Sequence, residues 1–254
     1  MTTRILVVAG HDPSGGAGVG ADRAAAAHFG VEAECVVTAW TDQDGARVRA
    51  IEPRPIEDWL EEARYALASP IGALKSGLLP SAAAVRALAT LLDEVAHARA
   101  VPAVVDPVLA ASGGESFLDE TGIEALLAEL PPRGVILTPN LPEAARLTGL
   151  ELEHLQARLE ARESAARALL ERGCRAVVLK GGHADDSPVR DLVLERGGEP
   201  VWLEHARIPG ARLHGSGCRF ASAIAAQLAR SVPLDESARA AGVWLAELLR
   251  AAPA

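Results

Sequence analysis

Short apolar runs alternate with longer stretches of helical periodicity along nearly the whole chain. The runs Arg4–Ala9, Glu34–Trp40, Ala73–Ser76, Ala103–Asp106, Gly134–Thr138, Arg175–Leu179 and Asp191–Glu195 read as strands. Several are apolar almost throughout, the pattern of a strand covered on both faces. Between them, the Ala-rich segments Ala21–Phe29, Ser81–Ala98, Glu120–Glu129 and Ser164–Arg172 predict helices. Gly or Pro marks most junctions, such as Gly30 after the first helix and Pro102 before the fourth strand. This rhythm predicts an α/β fold, a mostly parallel sheet between layers of helix. The charged stretch Leu150–Arg162 reads as a helical, solvated face. No polar stretch is long enough for an interdomain linker and no internal repeat is present, so residues 1–254 are expected to form one domain.

Composition narrows the partners. Of 254 residues, 49% are hydrophobic but only 3% aromatic, so the core is expected to be built from Ala, Leu and Val. A net charge of −9 argues against nucleic acid or an anionic membrane, both of which need clustered Lys and Arg. No apolar run approaches the ~20 residues that span a bilayer. Met1-Thr2-Thr3-Arg4 leads straight into the first strand without a signal-peptide pattern. Cys35, Cys174 and Cys218 have neither zinc spacing nor an even count. Reduced thiols in the cytoplasm are the expectation.

Open parallel sheets bind ligands beyond the carboxyl ends of their strands, so the loops after the apolar runs are where chemistry is sought. Gly10-His11-Asp12-Pro13-Ser14-Gly15-Gly16-Ala17-Gly18 follows the first strand. It lacks the Lys-Ser or Lys-Thr of a Walker A loop. Gly16-x-Gly18-x-x-Ala21 formally matches a dinucleotide fingerprint, yet the strand ends near Ala9, too early for the immediate tight turn that fingerprint needs. A glycine-rich turn without a ligand is the other reading. His214-Gly215-Ser216-Gly217-Cys218 leads into a helix marked by Phe220, Ile224 and Leu228. Backbone N–H groups and the helix dipole there suit an anion such as a phosphoryl group. The same field is expected to lower the pKa of Cys218. Alternatively, Cys218 is a small inert residue in the first turn of a buried helix. In Pro139-Asn140-Leu141-Pro142-Glu143, Asn140 and Glu143 are spaced either as a capping box or as two ligands of a hydrated Mg²⁺. Lys180, in Lys180-Gly181-Gly182-His183, stands at another strand end and can neutralise phosphate charge.

Seven segments taken in order resemble the hydroxymethylpyrimidine/phosphomethylpyrimidine kinases of thiamine biosynthesis, within the ribokinase-like superfamily. They are Ala9–Asp22, Thr38–Gln43, Lys75–Leu78, Asp106-Pro107-Val108, Thr138–Glu143, Lys180–His183 and His214–Cys218, spread over nearly the whole chain. The resemblance implies a three-layer α/β/α sandwich, a homodimer, and the use of ATP and Mg²⁺. It implies phosphorylation of 4-amino-5-hydroxymethyl-2-methylpyrimidine and then of its monophosphate. Cys218 would stand where most of the superfamily has an Asp base, and the N–H groups of Gly215, Ser216 and Gly217 would stabilise the phosphoryl group. Gln43, with Gly10, Asp22 and Val108, would bind the pyrimidine. Lys180, Asn140 and His214 would bind ATP, and Asn140 and Glu143 would serve the metal. The chain departs from the family pattern in Thr41-Asp42-Gln43-Asp44-Gly45, at Leu78 in place of a usual Met, and at Arg219 in place of a usual Thr. The segment after Val108 is also slightly short. These changes alter the pocket lining without removing a catalytic group, so they bear on ring selectivity and the second phosphorylation. The rival within the superfamily is a pyridoxal or pyridoxine kinase. From other classes, the rivals are an NAD-dependent oxidoreductase and a non-catalytic ligand-binding protein.

Overall fold

The computed structural model describes residues 3–43, 48–98, 101–111, 114–210 and 213–251. Asp44 and Gly45 of the pyrimidine loop lie outside the described residues, as do Met1 and Thr2. The strands are β1 (Arg4–His11), β2 (Glu32–Gln43), β3 (Val48–Pro53), β4 (Ala73–Ser76), β5 (Ala103–Val105), β6 (Ile136–Leu137), β7 (Ala176–Leu179), β8 (Val189–Glu195) and β9 (Val201–His205). They form one sheet in the order β3-β2-β1-β4-β5-β6-β7-β8-β9. From β2 to β7 the pairing is parallel, and β3, β8 and β9 join antiparallel.

The helices are α1 (Gly18–His28), α2 (Ile56–Ala66), α3 (Ala82–Ala98), α4 (Glu120–Glu129), α5 (Leu141–Thr148), α6 (Leu152–Ala157), α7 (Leu159–Glu171), α8 (Ser216–Ala229) and α9 (Leu234–Ala251). Successive residues of a strand point to opposite faces, and both faces of the central strands are apolar. Leu6, Val8, Val177 and Leu179 join Trp59, Leu88, Leu126 and Leu169 in a core beneath α2, α3, α4 and α7. Ile5, Val7, Ala176 and Val178 join Ala25, Ile224 and Ala241 beneath α1, α8 and α9. The result is the three-layer α/β/α sandwich.

α8 lies deepest. Residues Phe220 through Ala226 are buried without interruption, so this helix has no solvent face over two turns. Its small side chains allow close approach: a Cβ on Gly72, just before β4, would stand 2.8 Å from the Cβ of Ala229.

One expectation from the pattern fails. Leu150–Arg162 is not simply a solvated face, because Leu155 and Arg162 are both 0% exposed. The Arg162 guanidinium donates to the carbonyls of Leu155 and Gln156 and to the Asp186 carboxylate, which satisfies its buried charge.

Candidate active site

The parallel strands deliver their carboxyl ends to one rim, and two clefts open there. The larger, about 410 Å³, is walled by Gly10, His11, Thr41, Gln43, Leu78, Val108 and Phe117 on one side and by the 214–218 loop on the other. The smaller, about 300 Å³, lies between β8, β9 and α9, with Val189, Leu245 and Leu249 among its apolar walls. The clefts share Asn140, Lys180, His183, Ser216 and Gly217. Cys218 borders only the larger.

The loop between them is shaped by close contact. Gly215 caps α8 with φ at 72°, and a Cβ there would stand 2.2 Å from the Gly16 carbonyl oxygen, so glycine is required on both counts. A Cβ on Gly217 would stand 3.3 Å from Lys180 Nζ and 3.5 Å from Asp106 Oδ2. Successive N–H groups at the α8 N-terminus thus sit directly beside a lysine and a carboxylate.

Asp106, named from the sequence only as part of a motif and given no role, also lines the larger cleft. It follows β5 as Lys180 follows β7, and its Oδ1 accepts from Lys180 Nζ at 2.8 Å and from Thr138 Oγ1 at 3.3 Å. Burial opposes the charge on Lys180, but Asp106 and Glu143 outweigh it and hold the ammonium above its usual range. Asn140 and Glu143 do form the capping box of α5, each accepting from the other's backbone N–H at 2.9 and 2.8 Å. Both also line the clefts, so capping and ligand binding are not exclusive here. Burial pushes the Glu143 carboxyl up to about 7; Lys180, 4.0 Å away, pulls it down, and Asp106 adds to the rise. A divalent cation would relieve that crowding of carboxylates. Mg²⁺ keeps several waters and takes one or two carboxylates plus substrate phosphates, which suits this pair. Among the described residues no cluster of three or more His, Cys, Asp or Glu is placed to hold a metal by itself.

Three expectations need correction. The Cys218 thiol is not held low. Burial pushes it up to about 11, Lys75 offsets this in part, and the carboxylates of Asp22 and Asp106 raise it further. Cys35 and Cys174 are also raised by burial, to about 11 and about 12, so no thiol stands out as a ready thiolate near neutral pH. Second, Asp22 does not reach the larger cleft. It is 0% exposed, and its Oδ1 accepts from Lys75 Nζ at 2.7 Å and Ser222 Oγ at 2.8 Å. Third, His214 does not join Lys180 and Asn140 at the smaller cleft; it lines the larger one, its Nε2 lying 2.9 Å from Asp12 Oδ2. Gln43, Gly10 and Val108 do line the larger cleft.

The first glycine loop also parts from a dinucleotide site. Asp12 accepts from the backbone N–H groups of Ser14 and Ala17 and from Ser14 Oγ, folding the loop on itself between β1 and α1 instead of making a tight turn.

Comparisons with known proteins bear on the family and the fold. The family model described as phosphomethylpyrimidine kinase matches residues 12–254. The hydroxymethylpyrimidine/phosphomethylpyrimidine kinase of Rhizobium meliloti (strain 1021) is 36% identical over 253 residues, covering 99% of this chain and 92% of that protein. The pyridoxal kinase of Staphylococcus aureus in complex with pyridoxal superposes with a TM-score of 0.85 at 28% identity, covering 98% of this chain and 88% of the other. The phosphomethylpyrimidine kinase of Clostridium difficile 630 superposes with a TM-score of 0.82 at 26% identity, covering 98% of this chain and 100% of the other. The NAD-dependent reading falls on these matches as well as on the loop. A family model spanning residues 12–254 and a relative 36% identical along almost the full chain place this protein in the phosphomethylpyrimidine kinase family, to which it belongs.

Proposed function

We propose that the chain moves the γ-phosphoryl group of ATP to the hydroxymethyl oxygen of 4-amino-5-hydroxymethyl-2-methylpyrimidine, and then phosphorylates the monophosphate, in thiamine biosynthesis. The carrying observation is the meeting of two clefts at one anion loop. Ser216 and Gly217 border both, while Cys218 faces the larger one alone. A ring in the larger cleft and a nucleotide in the smaller would meet at the N–H groups of residues 215–217, which stabilise charge on the transferring group. Cys218 Sγ would take the hydroxyl proton, and Lys180 would neutralise phosphate charge. Mg²⁺, held by Asn140, Glu143 and Asp106 with the phosphates of ATP, would supply further neutralisation of that charge. The assembly we propose is a homodimer working in the cytoplasm; the dimer follows from the family resemblance and the compartment from the unpaired cysteines. No helix among the described residues is long and apolar enough to cross a membrane.

Pyridoxal is the competing ring, because the S. aureus pyridoxal kinase shares the fold. A panel of hydroxymethylpyrimidine, its monophosphate, pyridoxal and pyridoxine with Mg-ATP tests the reading. The two pyrimidines should be turned over with the highest kcat/KM; preference for pyridoxal would reverse the assignment. Gln43→Ala should lower kcat/KM for the pyrimidine and leave the KM for ATP near wild type. The cost expected of one lost buried partner is about 1–3 kcal/mol, or roughly 5- to 150-fold. Unchanged pyrimidine kinetics would remove Gln43 from the ring site.

Glu143→Gln separates capping from metal binding. As a ligand, its loss should reduce turnover and raise the Mg²⁺ concentration giving half-maximal rate. As a cap alone, it should cost at most about 2 kcal/mol of stability with the Mg²⁺ response intact. A Mg²⁺ titration alongside a melting curve decides between them.

A further inference from the structure

We propose that Arg219 is a positioning residue for phosphoryl transfer, one that locks the N-termini of α1 and α8 together so that Cys218 and the loop N–H groups meet the transferring group in a single geometry. The inference rests on the kinase reading above. α1 and α8 are each entered through a glycine loop, with Ala17 and Gly215 as their N-caps. The residues immediately before those caps are Gly16 and His214, and both turn their carbonyls to the same nitrogen, Nη1 of Arg219. The His214 oxygen lies 2.7 Å away and the Gly16 oxygen is in still closer contact. A guanidinium Nη carries two hydrogens, so one nitrogen can serve two carbonyls from opposite loops.

The seam between those loops has no slack. A Cβ on Gly16 would stand 2.6 Å from His214 Cδ2, and one on Gly215 would meet the Gly16 oxygen. The Asp12–His214 pair ties the same two loops a second time. Across the seam, a Cβ on Gly215 would also stand 2.7 Å from the Cα of Ala17, the N-cap of α1. Movement of one loop relative to the other therefore displaces the base and the anion-binding N–H groups together. Contrary to the expectation that it alters the pocket lining, Arg219 borders neither cleft. It acts through the two backbones it holds.

Arg219→Met keeps most of the aliphatic stem and removes every donor, while Arg219→Lys keeps the charge on a side chain one atom shorter, so its ammonium falls short of the place that Nη1 holds between the two carbonyls. Steady-state kinetics with hydroxymethylpyrimidine and Mg-ATP should be run well below each variant's melting temperature. For Arg219→Met, kcat should fall about 10- to 100-fold with both KM values little changed, the scale expected when reacting groups are misplaced by about 1 Å. Arg219→Lys should recover part of the rate. A wild-type kcat in Arg219→Met, with only a lowered melting temperature, would reduce Arg219 to a structural tie and overturn the proposal. A raised KM for ATP at unchanged kcat would overturn it differently, by making Arg219 a nucleotide contact. Should Arg219→Met not fold, Arg219→Lys decides alone: lower kcat at constant KM supports the clamp, and wild-type kcat refutes it. A wild type that phosphorylates no member of the ring panel brings down the kinase reading and this inference together, whereas an active wild type with an unimpaired variant sinks the inference alone.

Discussion

Replacing Cys218 by alanine should slow phosphoryl transfer by about 10²–10⁴, the usual worth of a positioned base, with nucleotide affinity near wild type. The smaller cleft, where we propose the nucleotide binds, does not include Cys218, which is why the loss should fall on the chemical step. The pH profile gives a second reading of the same group. With the thiol pushed up to about 11, little of the base form exists at neutral pH. Since the thiolate is the competent form, kcat/KM should climb about tenfold per pH unit through the neutral and moderately alkaline range. Cys218→Asp should restore part of the activity and shift the rise to lower pH, because a carboxyl ionises more readily than a thiol at the same place. Full activity in Cys218→Ala would assign proton removal to another group or to water. A wild-type profile flat from about pH 6 to 9 would likewise exclude the free-enzyme thiolate as the limiting base.

The second large effect is on stability. Lys75 and Asp22 are both 0% exposed and joined at 2.7 Å behind the catalytic loop. Burial opposes the ammonium, but Asp22, Cys218 and Asp106 together hold Lys75 above its usual range. Lys75→Met would leave the Asp22 carboxylate buried without its cation, at a cost of about 3–5 kcal/mol. For a chain of this size that lowers the melting temperature by on the order of 10 °C. The double variant Lys75→Met/Asp22→Asn should regain most of the loss, since the neutral amide would keep Ser222 as a partner without a charge to strand. Thermal melts of the two variants would show it. A single variant that melts within a degree or two of wild type would mean that the pair is not held as an ion pair.

Much of the sheet is legible in the sequence because its central strands are apolar on both faces and their runs stand out locally. The run Ala73–Ser76 matches β4 to the residue. β3 and β9 leave no such run, and each has a physical reason. Both are edge strands: β3 has no fully buried position, and β9 buries only Leu203, so neither carries the signal of a covered strand. The Arg162 contact with Asp186 joins residues 24 apart and leaves no local trace in a charged segment. In the site, Gln43, Asn140, Glu143, Lys180 and the 215–218 loop fall beside the clefts as the motifs lead one to expect. The sign of the Cys218 shift is not legible, because it is set first by burial in the folded chain and then by two carboxylates that the sequence separates widely from it, Asp22 and Asp106. Asp106 itself is within reach of the sequence. It closes an apolar run at the same rim as Lys180, and position at a strand's carboxyl end is the signal that singles out the others.

The unbroken burial of α8 bears on how this protein can vary. Phe220 through Ala226 meet neighbours on every side, and several of those positions are alanines with no room beside them. An inherited change that adds even a methyl group there must be absorbed by moving the helix, and Gly215 to Cys218 move with it. Substitutions that enlarge a side chain are thus expected to be tolerated on the outer helices and not on α8. Enlarging Ala223 or Ala225, which border neither cleft, should change turnover through the loop that the helix carries.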